Sequence, residues 1–144
     1  MFIRNIWLEM KAVLRSARQI INAELAPLHL NGAEGDILFH LLTGSDRFTQ
    51  DELAEQLDIG KAAVSRAVDS LETKGYVART RLTEDRRAYS VALTEKAYKA
   101  SDKVRGVYER LYAQVREGIA DEEFTRIEAL LSRVAVNLQP LEDR

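Results

Sequence analysis

The sequence predicts a mainly α-helical chain carrying one small β-hairpin. Three observations predict it. Over most of the 144 residues, apolar side chains recur at spacings of three and four, the helical period. Between Tyr76 and Leu93 the period falls to two, as in paired strands. Two short helical stretches joined by a tight turn stand immediately before that hairpin.

The first helix is carried by Ile3, Ile6, Trp7, Met10, Val13, Leu14, Ala17, Ile20, Ile21 and Leu25, and Pro27 sets its end near Ala26. A shorter helix follows, with Asn31 as N-cap and Gly44 as its stop, its first turn weakened by Gly35. Thr49, three residues before Glu52, opens a third helix with a capping box, and Leu53, Ala54 and Leu57 form its inner face. "DIG" is then a tight turn in which Gly60 is expected to be the flexible element. "KAAVSRAVDSLETKG" is the fourth helix, ended by Gly75 in the left-handed conformation. Strands over 76–81 and 89–93 flank a polar tip. Thr94 caps one long helix over 95–118, striped by Ala97, Tyr98, Val104, Val107, Tyr108, Leu111 and Val115. Asp121 is expected to cap the last, with Phe124, Ile127, Leu130, Leu131, Val134 and Leu138 inside. The organisation expected is an N-terminal helix over 1–30, a central lobe over 31–93 and two C-terminal helices over 94–144.

An apolar fraction of 46% and a charged fraction of 31% belong to a globular chain with a real core. The absence of cysteine excludes disulfides, thiol catalysis and thiol-based sensing. With only His29 and His40 for metal, no zinc site is expected, and no cofactor. Charges at Arg4, Glu9, Lys11, Arg15 and Arg18 break the N-terminal apolar stripe, so neither signal peptide nor membrane span is expected, and the cytoplasm is the expected location. No Gly-rich phosphate loop or His–carboxylate grouping supports an enzyme.

The net charge of −2 argues against nucleic acid on average, but the charge is polarised. From Gly60 to Ser90 seven cations stand against four anions, a net +3; from Val115 to Arg144 four stand against seven, a net −3. Two helices in a tight turn followed by a hairpin make a winged helix–turn–helix, whose second helix fits the major groove. On a wheel of the fourth helix, Val64, Ala67, Val68 and Leu71 gather on one face, and Ala62, Arg66, Asp69 and Thr73 oppose them with Ser65 on the flank. A small, polar outer face admits close approach. Arg66 suits guanine or phosphate, and Lys61 with the first-turn amides suits phosphate. On the hairpin, Arg79, Arg81, Arg86 and Arg87 suit the negative potential of a narrow minor groove. Asp85 pairs with one of those arginines or caps the tip's amides, fixing the loop. Any one of these arginines alone reads as a solvated charge; the constellation carries the functional reading.

The stretch "DELAEQLDIGKAAVSRAVDSLETKGYVARTRLTEDRRAYSVALTEKA" resembles the DNA-binding region of the MarR family of transcription regulators. "ELA", "AAVSRAVDSLETKGYV", "DRR" and "LTEKA" carry the likeness, in order and at the family's spacing. The resemblance implies a homodimer in which helices over 2–26, 95–118 and 122–139 interlock, and double-stranded DNA with a pseudo-palindromic site as partner. It puts the recognition-helix contacts on Lys61, Ala62, Ser65, Arg66 and Asp69, and the wing arginine on Arg87 after Asp85. Gly35 stands where a helix residue is usual. Many relatives release DNA when a small aromatic acid or phenol binds, for which Trp7, Met10, Arg15, Phe39 and His40 are the candidates here. Packing outweighs that reading, since aromatic stripes at helical spacing mostly pack. The competing function is a winged-helix dimer that captures a protein and has lost DNA.

Overall fold

The computed structural model describes residues 2–45, 47–82 and 89–143, which divide into two compact units, Met1–Leu111 and Tyr112–Arg144. In the first unit α1 (Phe2–Leu25) runs into a 3-10 turn, Ala26–Leu28, at Pro27. Then come α2 (Gly32–Thr43), β1 (Arg47–Thr49), α3 (Gln50–Gln56), α4 (Lys61–Thr73), β2 (Val77–Arg81), β3 (Tyr89–Leu93), α5 (Glu95–Lys99) and α6 (Ser101–Arg116). The fold is mainly helical with a small antiparallel sheet, as the sequence predicts.

The caps predicted at Asn31, Thr49 and Thr94 are formed. Asn31 and Glu34 make a reciprocal capping box, as do Thr49 and Glu52, and Thr94 accepts from the Ala97 amide. Gly75, at φ 83°, ends α4 in the left-handed conformation, as expected. Four expectations are corrected. The sheet has three strands in the order β1-β3-β2, not two, with Phe48 paired to Val91. Three residues running straight into a cap show no alternation long enough to read. In the turn before α4 the left-handed residue is Asp58, at φ 52°, a conformation aspartate tolerates. Gly60 is extended and is the N-cap of α4, making no side-chain cap. The long helix after Thr94 is interrupted at Ala100, whose φ of −90° and ψ of 0° separate α5 from α6. Asp121 lies inside the last helix rather than capping it: the N-cap is Ala120, whose amide donates to Glu123 Oε2 at 3.1 Å.

The core of the first unit is built from Leu25, Ile37, Leu38, Leu41, Leu53, Val64, Val68, Leu71, Val91 and Val104, all buried. Every helix of that unit and the sheet therefore present an apolar stripe to one centre. Asp36 joins three helices by accepting from Arg18 Nη2 and from Tyr108 Oη, each at 2.7 Å. Arg105 donates to the Leu42 carbonyl at 2.8 Å, satisfying the C-terminus of α2. The end of α4 is tied to the start of α5 by Thr94 Oγ1 on the Gly75 carbonyl, at 2.6 Å, and Lys96 Nζ on the Lys74 carbonyl, at 2.6 Å.

Gly35 has a packing reason. A Cβ there would run into Leu25 Cδ1 and Tyr108 Oη, so glycine is what lets α2 approach both neighbours. Gly35→Ala is expected to destabilise by about 1–3 kcal/mol through overpacking, despite alanine's better helix propensity. Thermal melting that shows a more stable variant would overturn this.

In the second unit, α7 (Asp121–Leu138) follows Gly118, which has φ 74°, and Arg116 pairs with Asp121 across that turn. Ile127, Leu130, Leu131, Val134 and Leu138 are exposed along α7. Exposed too, on α1, are Ile3, Ile6, Trp7, Val13 and Leu14. No helix among the described residues is long and apolar enough to cross a membrane.

Candidate nucleic-acid interface

The outer face of α4 is as the wheel places it. Val64, Ala67, Val68 and Leu71 are buried, which fixes the helix by one side. Ala62, Arg66, Asp69 and Thr73 are exposed and Ser65 is half-buried. The first turn holds no large side chain on that face. Because Gly60 supplies no capping oxygen, the first amides of α4 take no side-chain acceptor from it, and nothing stands within 4 Å of where a Cβ on Gly60 would be. Open amides at a positive dipole end bind anions.

Arg66 is exposed and makes no ion pair among the described residues, so its guanidinium is free to meet a ligand. Lys61 lies 3.6 Å from Asp51, both side chains well exposed, a pairing too weak to hold it back. Arg81 is exposed at the end of β2, its Nη2 donating to Tyr89 Oη at 3.3 Å and its guanidinium 5.7 Å from that ring's centre. Asp85, Arg86 and Arg87 lie outside the described residues.

Arg79 and Asp69 behave differently from Arg66. Arg79 Nη2 lies 2.5 Å from Asp69 Oδ1 and 3.2 Å from Glu72 Oε1, and Nη1 donates to Gln50 at 3.2 Å. Its guanidinium also lies over the Tyr89 ring, at 5.3 Å. The Arg79 backbone N–H donates to Glu72 Oε2 at 3.1 Å, on a strand at the sheet's edge. Hydrogen bonds from the Arg79 side chain, then from its backbone, outweigh the slight burial and hold the Glu72 carboxyl below its usual range. Burial alone would lower the pKa of Arg79; hydrogen bonds to Glu72 and Asp69, with their charge, reverse that and raise it. The pairing between helix and hairpin was not read in the sequence. Its signal was there: Asp69 and Glu72 are three apart on one helical face, at the end nearest the following strand.

The ligand-pocket candidates Phe39 and His40 have different neighbours. Phe39 stacks on Tyr108, ring centres 4.3 Å apart. His40, the next residue, turns elsewhere: its Nε2 lies 2.6 Å from Gln56 Oε1 and its ring packs near Phe48. Trp7 is 52% exposed on α1, Met10 is half-buried and Arg15 is exposed. No group of three or more His, Asp or Glu among the described residues is placed to hold a metal.

Comparison with known proteins agrees with this arrangement. Residues 30–88 match the model of the MarR family. Among solved structures, the chain is similar to a MarR transcriptional regulator from Methanosarcina mazei, at 23% identity and a TM-score of 0.82, over 94% of this chain and 99% of that one. It is similar to a MarR family transcriptional regulator from Streptomyces coelicolor crystallised in complex with DNA, at 22% identity and a TM-score of 0.81, over 96% and 89%. It is also similar to MarR itself, at 25% identity and a TM-score of 0.71, over 92% and 96%.

Proposed function

We propose that the protein is a homodimeric, sequence-specific DNA-binding transcription regulator, acting as a repressor, because residues 30–88 match the MarR family model and the fold is similar to that of solved MarR regulators. The observation that carries this is the outer face of α4: small, open at its uncapped N-terminus, with Arg66 beside it making no ion pair among the described residues. In this reading α4 enters the major groove, with Lys61, Ala62, Ser65 and Arg66 at the base edges and phosphates. The hairpin lies alongside, Arg81 on the backbone and Arg86 and Arg87 toward the minor groove. Dimerisation covers the apolar stripes exposed on α1 and α7, which are too large to leave in water. A two-fold dimer then asks for a pseudo-palindromic site with half-sites one helical turn apart. Release by a small aromatic or phenolic ligand extends the same reading, with exposed Arg15 as the group to meet a carboxylate.

Fluorescence anisotropy on duplexes from its own promoter region, at two salt concentrations, tests the proposal. Affinity is expected to fall steeply with salt, and Arg87→Ala to weaken binding to all sequences alike while lowering the salt slope by about 1. A dimer that ignores duplex DNA at low salt but captures a protein would support the second reading, an interaction module. The acidic balance and the thin recognition face favour that reading.

A further inference from the structure

Asp69 is an anion on the face of α4 that the DNA reading turns toward a polyanion. It is 57% exposed, and Glu72, one turn on, is 42% exposed. Two carboxylates so placed would repel phosphate. Arg79 answers both from the first strand of the hairpin. Its side chain is only 19% exposed and both its Nη atoms are engaged, by Asp69, Glu72 and Gln50, with Tyr89 beneath. A guanidinium so engaged, and so little exposed, is turned toward the protein rather than toward a phosphate.

We propose that Arg79 is a positioning residue for DNA binding rather than a contact: it offsets part of the charge of Asp69 and Glu72 and locks the hairpin to the recognition helix, so that the two meet DNA as one body. The inference rests on the DNA-binding reading above. Two links make the lock, since the Arg79 side chain and the Arg79 backbone N–H both end on Glu72. A planar cation with several donors, able to reach Asp69, Glu72 and Gln50 at once, suits this better than lysine would. The Arg79 bonds hold the Glu72 carboxyl below its usual range, so its charge is one that Arg79 offsets.

The test compares the unaltered chain, Arg79→Gln, the pair Asp69→Asn with Glu72→Gln, and all three together. The probe is a mixed-sequence duplex of about 24 base pairs, long enough for two half-sites one turn apart. Affinity is read at low salt and as a function of salt. Arg79→Gln is expected to lose on the order of tenfold in affinity, since the local charge near phosphate becomes more negative by one and the lock is lost. Adding the Asp69 and Glu72 substitutions is expected to restore most of that loss, with the salt slope of the triple variant near that of the unaltered chain. A phosphate contact would behave otherwise: the slope would drop by about 1 in both backgrounds and nothing would be rescued. That result overturns the inference. Arg79→Lys keeps the charge but not the fork, and is expected to fall between the two. It keeps the comparison decisive if Arg79→Gln melts below the assay temperature, because a lysine variant no different from the unaltered chain would dismiss the lock. If the unaltered chain fails to bind the duplex at low salt, the DNA reading itself falls, and this inference with it.

Discussion

Glu34→Ala is expected to cost about 3 kcal/mol and to lower the melting temperature on the order of 10 °C. Glu34 is 1% exposed, and three donors make four hydrogen bonds to its carboxylate. Lys74 Nζ reaches Oε1 at 3.0 Å and Oε2 at 2.8 Å, Ser70 Oγ reaches Oε2 at 2.8 Å, and the Asn31 amide reaches Oε1 at 3.0 Å. One side chain thus closes the capping box of α2 and ties that helix to the end of α4. Alanine removes all of it, leaving Lys74 and Ser70 without their acceptor. Lys74 is about one-third exposed and retains the His29 carbonyl at 2.8 Å, which keeps the loss below that of a fully buried orphan charge. Glu34→Gln keeps the cap but turns a donor toward Lys74, and is expected to cost about 2 kcal/mol.

The same residue sets a pH dependence. Burial alone would raise the Glu34 pKa, but the hydrogen bonds from Lys74, Asn31 and Ser70 and the Lys74 charge outweigh it and hold the carboxyl below its usual value. A carboxyl lowered in the folded state contributes stability that is fully present above its unfolded value, about 4.3. That contribution is lost as pH falls below it, through the folded value. Melting curves from neutral pH down to about 3 should therefore show a shallower acid limb for Glu34→Gln than for the unaltered chain. Parallel limbs would show that the ion pair carries no net stabilisation.

Arg66→Ala is the functional counterpart, and its expected effect is about 1–3 kcal/mol of DNA affinity, or roughly 5- to 150-fold. Arg66 is exposed and unpaired among the described residues, so melting should move by no more than about 0.5 kcal/mol. Binding should be measured on the preferred duplex and on its single-base variants. If Arg66 reads a base, discrimination collapses at one position per half-site while the salt slope holds. If it grips phosphate, every sequence weakens alike and the slope falls by about 1. An unchanged affinity on every duplex would remove α4 from the interface.

The parts legible in the sequence are those governed by local rules. Asn31, Thr49 and Thr94 announce helix starts because only a short polar side chain can serve the first amides, and the structure has all three caps. Val64, Val68 and Leu71 announce a buried stripe, and are buried. The illegible parts depend on partners distant in sequence. Glu34 shows in sequence only as an acidic residue in a first turn; Lys74, forty residues on, makes it a buried anchor. Gly35 reads as a weak helix former until Leu25 and Tyr108 are seen against it. Arg79 reads as one more wing cation because the spacing of Asp69 and Glu72 on α4 does not by itself say which cation they take.

The bonds from Thr94 and Lys96 to the carbonyls of Gly75 and Lys74 have a mechanical meaning. They make the last turn of α4 and the first turn of α5 a single joint, with Lys96 also resting on the Tyr76 ring at 4.6 Å. Thirteen residues of α4 form a lever about 20 Å long whose fulcrum is that joint. A tilt of about 10° delivered through α5 swings the Lys61 end by about 3 Å, beyond what a hydrogen bond to a base edge tolerates.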